Sequence, residues 1–359
     1  MRGLSFRKDE AVGLDIGSSA IKVVALRQDG AGYAVTAAGI AEIAPSEDDN
    51  NHQRTHTVRA VRECLESAGV KRKLAVCGVS GPEVAVRDFE FPLLSAEEIA
   101  GAVLLEASQV CPFNAADIAV DYQLISDDEN KARGVLIAAT NKLIKNKVQL
   151  AKEAKLKCVL MDVDGLALLN CFNAFGDGHE RLHTGRTTAI LNVGGSHTSL
   201  AIMGGNGWPF IRDMTYAGDD IVEQIATEKD MSTDAVKGIL FGDSTAARTE
   251  LHDSLEKASR KLIANVAETL RYYAAHTTSK HVDSIFVCGG FALAGGFVEL
   301  LNSRLGAEAV LWNPFDKMRY DGSRQCRQIV PKKGPAMAVA AGLAMRSIRN
   351  GTRKASSER

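Results

Sequence analysis

The sequence predicts an α/β protein of two lobes with matching strand and helix order, and three observations carry that prediction. A short glycine-turn hairpin occurs twice, as Val12-Gly13-Leu14-Asp15-Ile16-Gly17-Ser18-Ser19-Ala20-Ile21-Lys22 and as Ala189-Ile190-Leu191-Asn192-Val193-Gly194-Gly195-Ser196-His197-Thr198. After each copy the apolar patterning runs on through further strands and then into helices. The length of 359 residues with 45% hydrophobic content fits two domains, each with a sizeable core.

In the first half, the hairpin resumes as Val23-Val24-Ala25-Leu26, and a third strand is expected near Tyr33 to Ala41. A polar break at Pro45 to Asn51 precedes an amphipathic helix from about Thr55 to Ala68, with Val58, Val61, Leu65 and Ala68 on one face. His52 and His56 fall at this polar boundary and read as exposed. Leu74 to Val79 is a continuous apolar run, the pattern of a buried strand. An inserted α+β module follows. It comprises a strand at Val84 to Phe91, a helix opened by Ser95 with Glu98 three residues on as a capping box, strands at Ala119 to Ile125 and Val135 to Ala139, and a helix from about Lys142 to Ala154. A buried strand at Cys158 to Val163 and a helix at Gly165 to Phe175 close the first lobe.

The second half repeats the order, with strands at Thr188 to Val193, Thr198 to Met203 and Trp208 to Asp213 and a mostly helical insertion from Asp219 to His276. Ile285 to Cys288 is a short buried strand running into Gly289-Gly290-Phe291-Ala292-Leu293-Ala294-Gly295-Gly296. A helix at Phe297 to Leu305, a strand at Val310 to Trp312 and an apolar helix at Pro335 to Met345 complete the lobe.

Composition narrows the function classes. A net charge of −1 with dispersed Lys and Arg gives no basic face for nucleic acid, and only Arg346 to Arg359 is locally basic. The apolar stretch Ala336 to Met345 is too short to cross a bilayer, and the N-terminal residues lack the apolar run of a signal peptide, so a cytoplasmic protein is expected. Seven scattered cysteines without Cys-x-x-Cys spacing read as reduced core thiols rather than disulfides or zinc ligands. His179-Glu180-Arg181-Leu182-His183 matches the zinc-protease pattern, but its glycine-bounded position directly before a strand leaves no room for the helix that chemistry requires.

The paired hairpins point to anion chemistry. Glycines let backbone N–H groups approach an anion without an intervening Cβ, and successive N–H groups in a turn make an anion-binding concavity. Ser18, Ser19, Ser196 and Thr198 add hydroxyl donors, and Lys22 adds a cation. Asp15, a carboxylate at a strand end, suits Mg²⁺ held through water, since that ion keeps several waters and takes few protein ligands. Each hairpin alone reads first as an ordinary β-hairpin with Gly in its turn; two of them facing each other could grip one polyphosphate.

These residues resemble the actin, heat-shock chaperone and sugar-kinase superfamily, in which two such lobes each contribute a phosphate hairpin and a Gly-Gly loop of the second lobe holds the adenosine. Within it the chain is most similar to the PilM family of type IV pilus assembly proteins, and more distantly to FtsA cell-division proteins. Four features carry the resemblance: Gly13-Leu14-Asp15-Ile16-Gly17-Ser18-Ser19; the inserted Glu106-Ala107 to Cys111-Pro112-Phe113 with Asp121-Tyr122-Gln123; Leu270-Arg271-Tyr272-Tyr273; and Asn313-Pro314-Phe315. The implied fold class is α/β, with two actin-like (ribonuclease H-like) lobes facing across a nucleotide cleft, a small α+β insertion in the first lobe and a helical insertion in the second. The implied boundaries are 9–83 and 157–186 for the first lobe, 84–156 for its insertion, 187–218 and 281–348 for the second lobe, 219–280 for the helical insertion, and 349–359 as a polar tail.

The resemblance implies ATP and Mg²⁺ between the lobes. Asp15, Gly17, Ser18, Ser19 and Lys22 would contact phosphates and metal from one side, and Asn192, Gly194, Gly195 and Ser196 from the other. Gly218, Asp219, Gly289, Gly290 and Phe291 would flank sugar and base. It also implies a partner, the cytoplasmic N-terminal peptide of a PilN-like inner-membrane protein, bound between insertion and first lobe with Phe89, Phe91, Leu104, Val110, Pro112 and Phe113 as candidate contacts. Other pilus platform proteins and motor ATPases are further implied partners, with recruitment to the inner membrane through a protein rather than by insertion.

Two departures from the family pattern matter. Asn192 stands where the second hairpin usually carries Asp, which removes a negative charge from the metal side and predicts weak or absent hydrolysis. The ribose-gripping Ala-Glu-x-x-Lys segment is replaced by Asp234-Ala235-Val236-Lys237-Gly238-Ile239, without the Glu or the downstream Lys. Two other readings stay open: a phosphotransferase with Asp162 or Asp164 as its catalytic carboxylate, and an FtsA-like tethered filament protein. The second of these would need an amphipathic C-terminal helix, and Asn350 to Arg359 has no apolar face.

Overall fold

The computed structural model describes residues 11–30, 32–45, 50–125, 131–175, 187–204, 208–276 and 281–349. The zinc-protease-like segment at 179–183 and the basic tail at 350–359 lie outside the described residues.

Two sheets of the same topology form the body. In the first, β1 (Ala11–Ile16), β2 (Ala20–Asp29) and β3 (Gly32–Glu42) make an antiparallel meander, and β4 (Leu74–Val79) and β8 (Lys157–Val163) add in parallel on the other side of β1. In the second, β9 (Thr187–Val193), β10 (Thr198–Met203) and β11 (Pro209–Met214) repeat the meander, with β12 (Val282–Cys288) and β13 (Glu308–Leu311) parallel to β9. With a short β14 (Arg319–Tyr320) at the edge of the first, the sheet orders are β14-β3-β2-β1-β4-β8 and β11-β10-β9-β12-β13, so β1 corresponds to β9 and β2 to β10. The repeat read from the hairpins therefore extends through the whole sheets.

The central strands are buried on both faces, which explains their unbroken apolar runs. On one face of the first sheet α1 (Asn50–Ser67) and α3 (Asn141–Glu153) pack, with Val58, Val61, Ala151 and Ala154 against Val12, Leu14 and Cys77. On one face of the second sheet lie α5 (Gly218–Lys229), α6 (Thr233–Leu240), α8 (His252–His276) and α9 (Phe297–Arg304), with α7 (Thr245–Glu250) alongside. Between the two sheets sits a shared layer of α4 (Asp164–Phe175) and α11 (Ala338–Arg349). There Phe172 meets Phe286 and Trp312 of the second half, with ring centroids 4.8 and 5.6 Å apart.

The insertion is a three-stranded antiparallel sheet, β5 (Val84–Pro92), β7 (Lys131–Thr140) and β6 (Ile118–Leu124) in that spatial order, covered by α2 (Ala96–Val110). The expected capping box is present: Ser95 Oγ accepts from Glu98 N–H, and Ser95 N–H donates to the Glu98 carboxylate at 2.8 Å.

Two segments sit elsewhere than expected. Helix α3, grouped with the insertion on sequence grounds, packs on the first sheet. The end of the chain, assigned to the second lobe, crosses to the first: β14 (Arg319–Tyr320) pairs with β3, α10 (Arg324–Lys333) packs beside it, and α11 lies across β1, β2 and α4. Small residues make that crossing. A Cβ on Gly13 would lie 2.0 Å from the Ala340 carbonyl oxygen, and one on Gly342 2.1 Å from that of Ala167, so strand and helix backbones touch directly. All seven cysteines are free thiols, six of them buried. Among the described residues no helix is long and apolar enough to cross a membrane.

Candidate functional site

The two hairpin turns have one geometry. Gly17 N–H donates to the Ala20 carbonyl at 3.2 Å, and Gly194 N–H donates to the His197 carbonyl at 3.0 Å. Each turn is tight enough that a Cβ on its glycine would crowd the same oxygen, at 2.8 and 2.9 Å. In the first hairpin the register sets Asp15 opposite Lys22, and Lys22 Nζ lies 3.2 Å from Asp15 Oδ2. In the second the corresponding pair is Asn192 and Ser199, and Ser199 Oγ donates onward to Asp213 at 2.5 Å.

The turns meet across the lobes. Ser196 N–H donates to Ser18 Oγ at 3.2 Å. A Cβ on Gly195 would fall 2.8 and 3.0 Å from the Ser18 and Ser19 hydroxyls, so this glycine keeps open the space the hydroxyls face. Between the hairpins lies a cavity of about 360 Å³, lined by Asp15, Gly17, Ser18, Ser19 and Lys22 from the first half and by Asn192, Gly194, Gly195, Ser196, Gly289 and Gly290 from the second.

The remaining predicted cleft residues stand behind this lining. Gly218 and Asp219 begin α5 and donate their N–H groups to the carbonyls of Gly194 and Gly195 at 3.1 and 2.9 Å, buttressing the second turn. Phe291 is buried against Gly218, Phe241 and Phe297, a core position. In the segment that replaces the ribose clamp, Val236 is buried, while Lys237 Nζ reaches to 3.5 Å from Asp219. Thr198 is fully buried, its hydroxyl donating to the Tyr216 carbonyl at 3.0 Å.

The cleft also holds residues that sequence reading passed over or weighed differently: Lys147, Ser80, His197 and Asp164. Lys147 comes from α3 and donates to the Ile16 carbonyl at 2.6 Å, a second cation beside the first hairpin. Its signal was positional only, one lysine among several on an amphipathic helix. Asp164, one of the two carboxylates considered for phosphotransfer, accepts from Ser80 Oγ through Oδ2 at 2.7 Å and leaves Oδ1 buried without a hydrogen-bond partner. Burial first, then the nearby Asp15 charge, pushes its pKa up to about 7. The other, Asp162, faces away from the cleft and pairs with Arg346 at 2.7 Å.

This donor set fits a magnesium polyphosphate. Glycine turns keep N–H groups uncovered, two lysines supply positive charge, and Asp15 is the carboxylate of the hairpin pair. Among the described residues no group of three or more His, Cys, Asp or Glu side chains is placed to hold a metal, so a magnesium here would rest chiefly on phosphate oxygens and water.

A second and larger cavity, about 810 Å³, runs between the insertion and the first sheet. Its walls are Ala119 to Ile125 along β6, Val135 and Ile137 of β7, Leu160 and Met161 of β8, and Leu166 of α4, with Asp162 and Arg346 among its polar groups. None of the six predicted partner contacts lines it. Phe89 is core of the insertion, Phe91 stacks on it with centroids 4.9 Å apart, and Phe113 packs on the same cluster. Leu104 and Val110 lie on the exposed side of α2, and Pro112 is exposed beyond its end. Phe89 and Phe91, two residues apart on β5, share the face that packs under α2.

The family profile described as type IV pilus assembly protein PilM matches residues 13–348. Among solved structures, the PilM-PilN type IV pilus biogenesis complex superposes with a TM-score of 0.79 at 23% identity, covering 95% of this chain and 99% of the other. The ethanolamine utilization protein EutJ from Carboxydothermus hydrogenoformans gives 0.54 at 14% identity over 93% of this chain and 89% of its own. A diol dehydratase-reactivating factor gives 0.53 at 11% identity over 94% and 99%. The fold is thus actin-like, and the chain belongs to the PilM family of type IV pilus assembly proteins.

Proposed function

We propose that this protein is an ATP-binding scaffold on the cytoplasmic side of the pilus assembly platform, taking MgATP between its hairpins and the N-terminal peptide of a PilN-like inner-membrane protein in the groove beside its insertion. The observation that carries the nucleotide half is the meeting of two like turns, with Ser196 N–H on Ser18 Oγ at 3.2 Å and the glycine, hydroxyl and lysine groups of both lining one cavity. Asp15 holds magnesium through water; Asn192 brings no charge, so the nucleotide serves as a structural or switching ligand with slow or no turnover.

For the peptide half, the groove offers a long apolar floor and the outer edge of β6, which among the described residues pairs only with β7. An unpaired strand edge beside apolar pockets suits an extended segment, whose backbone bonds to the edge while alternate side chains enter the pockets. Membrane recruitment then runs through the partner, and further platform proteins or motor ATPases assemble on the same scaffold. Two measurements test the reading. Millimolar MgATP raises the melting temperature, since a ligand bound to the native state alone stabilises it by an amount growing with the logarithm of its concentration; an unmoved melting temperature counts against the cleft. Immobilised peptide from the partner's N-terminus captures the protein, and Leu124→Asp, at a half-exposed groove position, abolishes capture. Capture unaffected by that change places the peptide elsewhere.

A further inference from the structure

One part of the surface carries charge that the fold does not use. Residues 317–333, which cross to the first sheet as β14 and α10, hold six Lys and Arg and one Asp in a chain whose net charge is −1. In sequence the six are scattered among Ser, Gln and Cys, which is why 346–359 alone reads as locally basic. Folding gathers them. Arg324, Arg327, Lys332 and Lys333 of α10 are all exposed, whereas Cys326 and Val330 on its other side are buried in the core.

Contacts within the chain account for part of this charge. Arg319 pairs with Asp29 at 3.1 Å, and Asp321, the one carboxylate of the segment, is taken by Arg27. Lys332 and Lys333 end α10, where positive charge suits the helix dipole. Arg324 and Arg327 have no such role. They open and close the first turn, directly after the Ser323 cap, where positive charge opposes the dipole, and no acidic residue stands there to offset it. None of the four helix cations has an ion pair among the described residues. Two arginines thus stand where they cost the helix stability, which points to a use outside the chain.

The makeup of the face selects the partner. Besides the cations, the exposed positions of α10 are Gln325, Gln328 and Pro331. No aromatic side chain is there to stack a base, as binding of single-stranded nucleic acid requires. No apolar pocket is there to seat the anchor of a protein partner, and α10 lines neither of the two cavities. What remains is exposed charge along a helix of ten residues, about 15 Å long, suited to a broad anionic plane met without desolvation. We propose that α10 lays this face on a membrane surface rich in anionic phospholipid, with Arg324, Arg327, Lys332 and Lys333 among the headgroups. The contact is peripheral: the apolar side of the helix is committed to the core, so nothing inserts. It goes beyond the proposed function, orienting on the membrane a protein that a partner recruits, and it does not depend on where the partner's peptide binds.

Sedimentation of the full chain with lipid vesicles tests this. At about 0.1 M salt the protein pellets with vesicles of phosphatidylcholine containing phosphatidylglycerol and stays in solution with phosphatidylcholine alone; at about 1 M salt, where the Debye length falls from ~10 to ~3 Å, it stays in solution with both. Arg324→Gln with Arg327→Gln lowers vesicle affinity about fivefold for each cation removed. Its melting temperature is unchanged or higher, because the charges opposing the dipole are gone. Lys229→Gln with Arg271→Gln removes two exposed cations from α5 and α8 of the second half and leaves vesicle affinity unchanged. No pelleting with anionic vesicles overturns the proposal, as does an equal loss in the two double variants, which would mean that overall charge alone matters. A lower melting temperature in the arginine variant would give those side chains a structural use and remove the ground for it. Tighter binding to polyglutamate or to single-stranded DNA than to the vesicles would assign the face to a protein or a nucleic acid and overturn it too. Each of these outcomes leaves the MgATP and peptide tests of the proposed function as they stand.

Discussion

The two hairpins share a backbone and differ in charge. The first carries an ion pair, Asp15 with Lys22, at the position where the second carries the neutral Asn192 with Ser199. Each is backed by a buried carboxylate, but these too differ. Asp213 behind the second hairpin has both oxygens in use, one on Ser199 Oγ and one on Gly81 N–H, whereas Asp164 beside the first has one oxygen on Ser80 and one without a partner. The two turns of a duplicated fold thus divide their chemistry. Under the proposed function the first hairpin would supply the charge for metal and phosphate, and the second neutral donors, with Asp213 behind it reaching on to Gly81 at the start of the insertion.

The largest effect belongs to the sheet beneath the hairpins. Gly13 of β1 lies under the backbone of α11, while its counterpart in β9, Ile190, carries a full side chain in the shared core. Gly13→Val therefore forces the crossing helix off the first sheet and costs about 3 kcal/mol or more. Ile190→Val, which removes a single methylene in the other lobe, costs about 1 kcal/mol. Thermal denaturation of the two variants checks the contrast, and equal losses would mean that α11 does not depend on that close approach.

Next in size is the charge difference itself. Asp15→Asn leaves Lys22 opposite a neutral side chain and lowers MgATP affinity by about tenfold or more, the scale of one charged hydrogen bond. Asn192→Asp alone places a second carboxylate across the cleft from Asp15 and raises ATP turnover, by about tenfold or more if metal-bound water is what it orients. The decisive variant is the exchange, Asp15→Asn with Asn192→Asp, which conserves total charge. Calorimetry on it shows affinity still lowered, since the lysine remains with the first hairpin; full recovery would show that the two turns are interchangeable.

Features with a local signature were legible in the sequence. The hairpins were, because Gly, Asp or Asn and hydroxyl residues at fixed spacing mark a turn wherever it sits. So was the Ser95–Glu98 cap, where both partners lie within one helical turn. The groove was not, because its walls join Leu160 of β8, Tyr122 and Leu124 of β6, and Met203 of β10, residues remote in the chain and apolar like any core position. Phe89 and Phe91, candidate contacts on the resemblance, pack in the cluster under α2. The crossing of the chain end was hidden for related reasons. Strand β14 has two residues, α10 contains Pro331 and is polar, and the small residues of α11 fit against either lobe until Gly13 and Ala167 are seen beside them.

The smallest predicted effect separates the two backing carboxylates by pH. Burial and the Asp15 charge raise the Asp164 pKa to about 7, above its ordinary value of 3.8. Between those values the native state binds the proton that the unfolded chain has released, so this group's contribution is greatest at low pH and is lost as pH rises through about 7. Asp164→Asn keeps the acceptor for Ser80 and removes the charge. Its melting temperature should therefore exceed that of the unaltered protein at pH 8, with the gap closing towards pH 5. Asp213 is raised in the same direction by burial, but its two hydrogen bonds oppose the shift. Asp213→Asn keeps its oxygen for Gly81 N–H and turns its NH₂ towards Ser199, whose hydroxyl must change from donor to acceptor, so two hydrogen bonds to a charged acceptor become neutral ones and the variant gains less at pH 8 or falls below the unaltered protein. Melting curves of both variants across pH 5 to 8 distinguish a carboxylate strained by its surroundings from one held by them, and parallel curves would erase that difference between the hairpins.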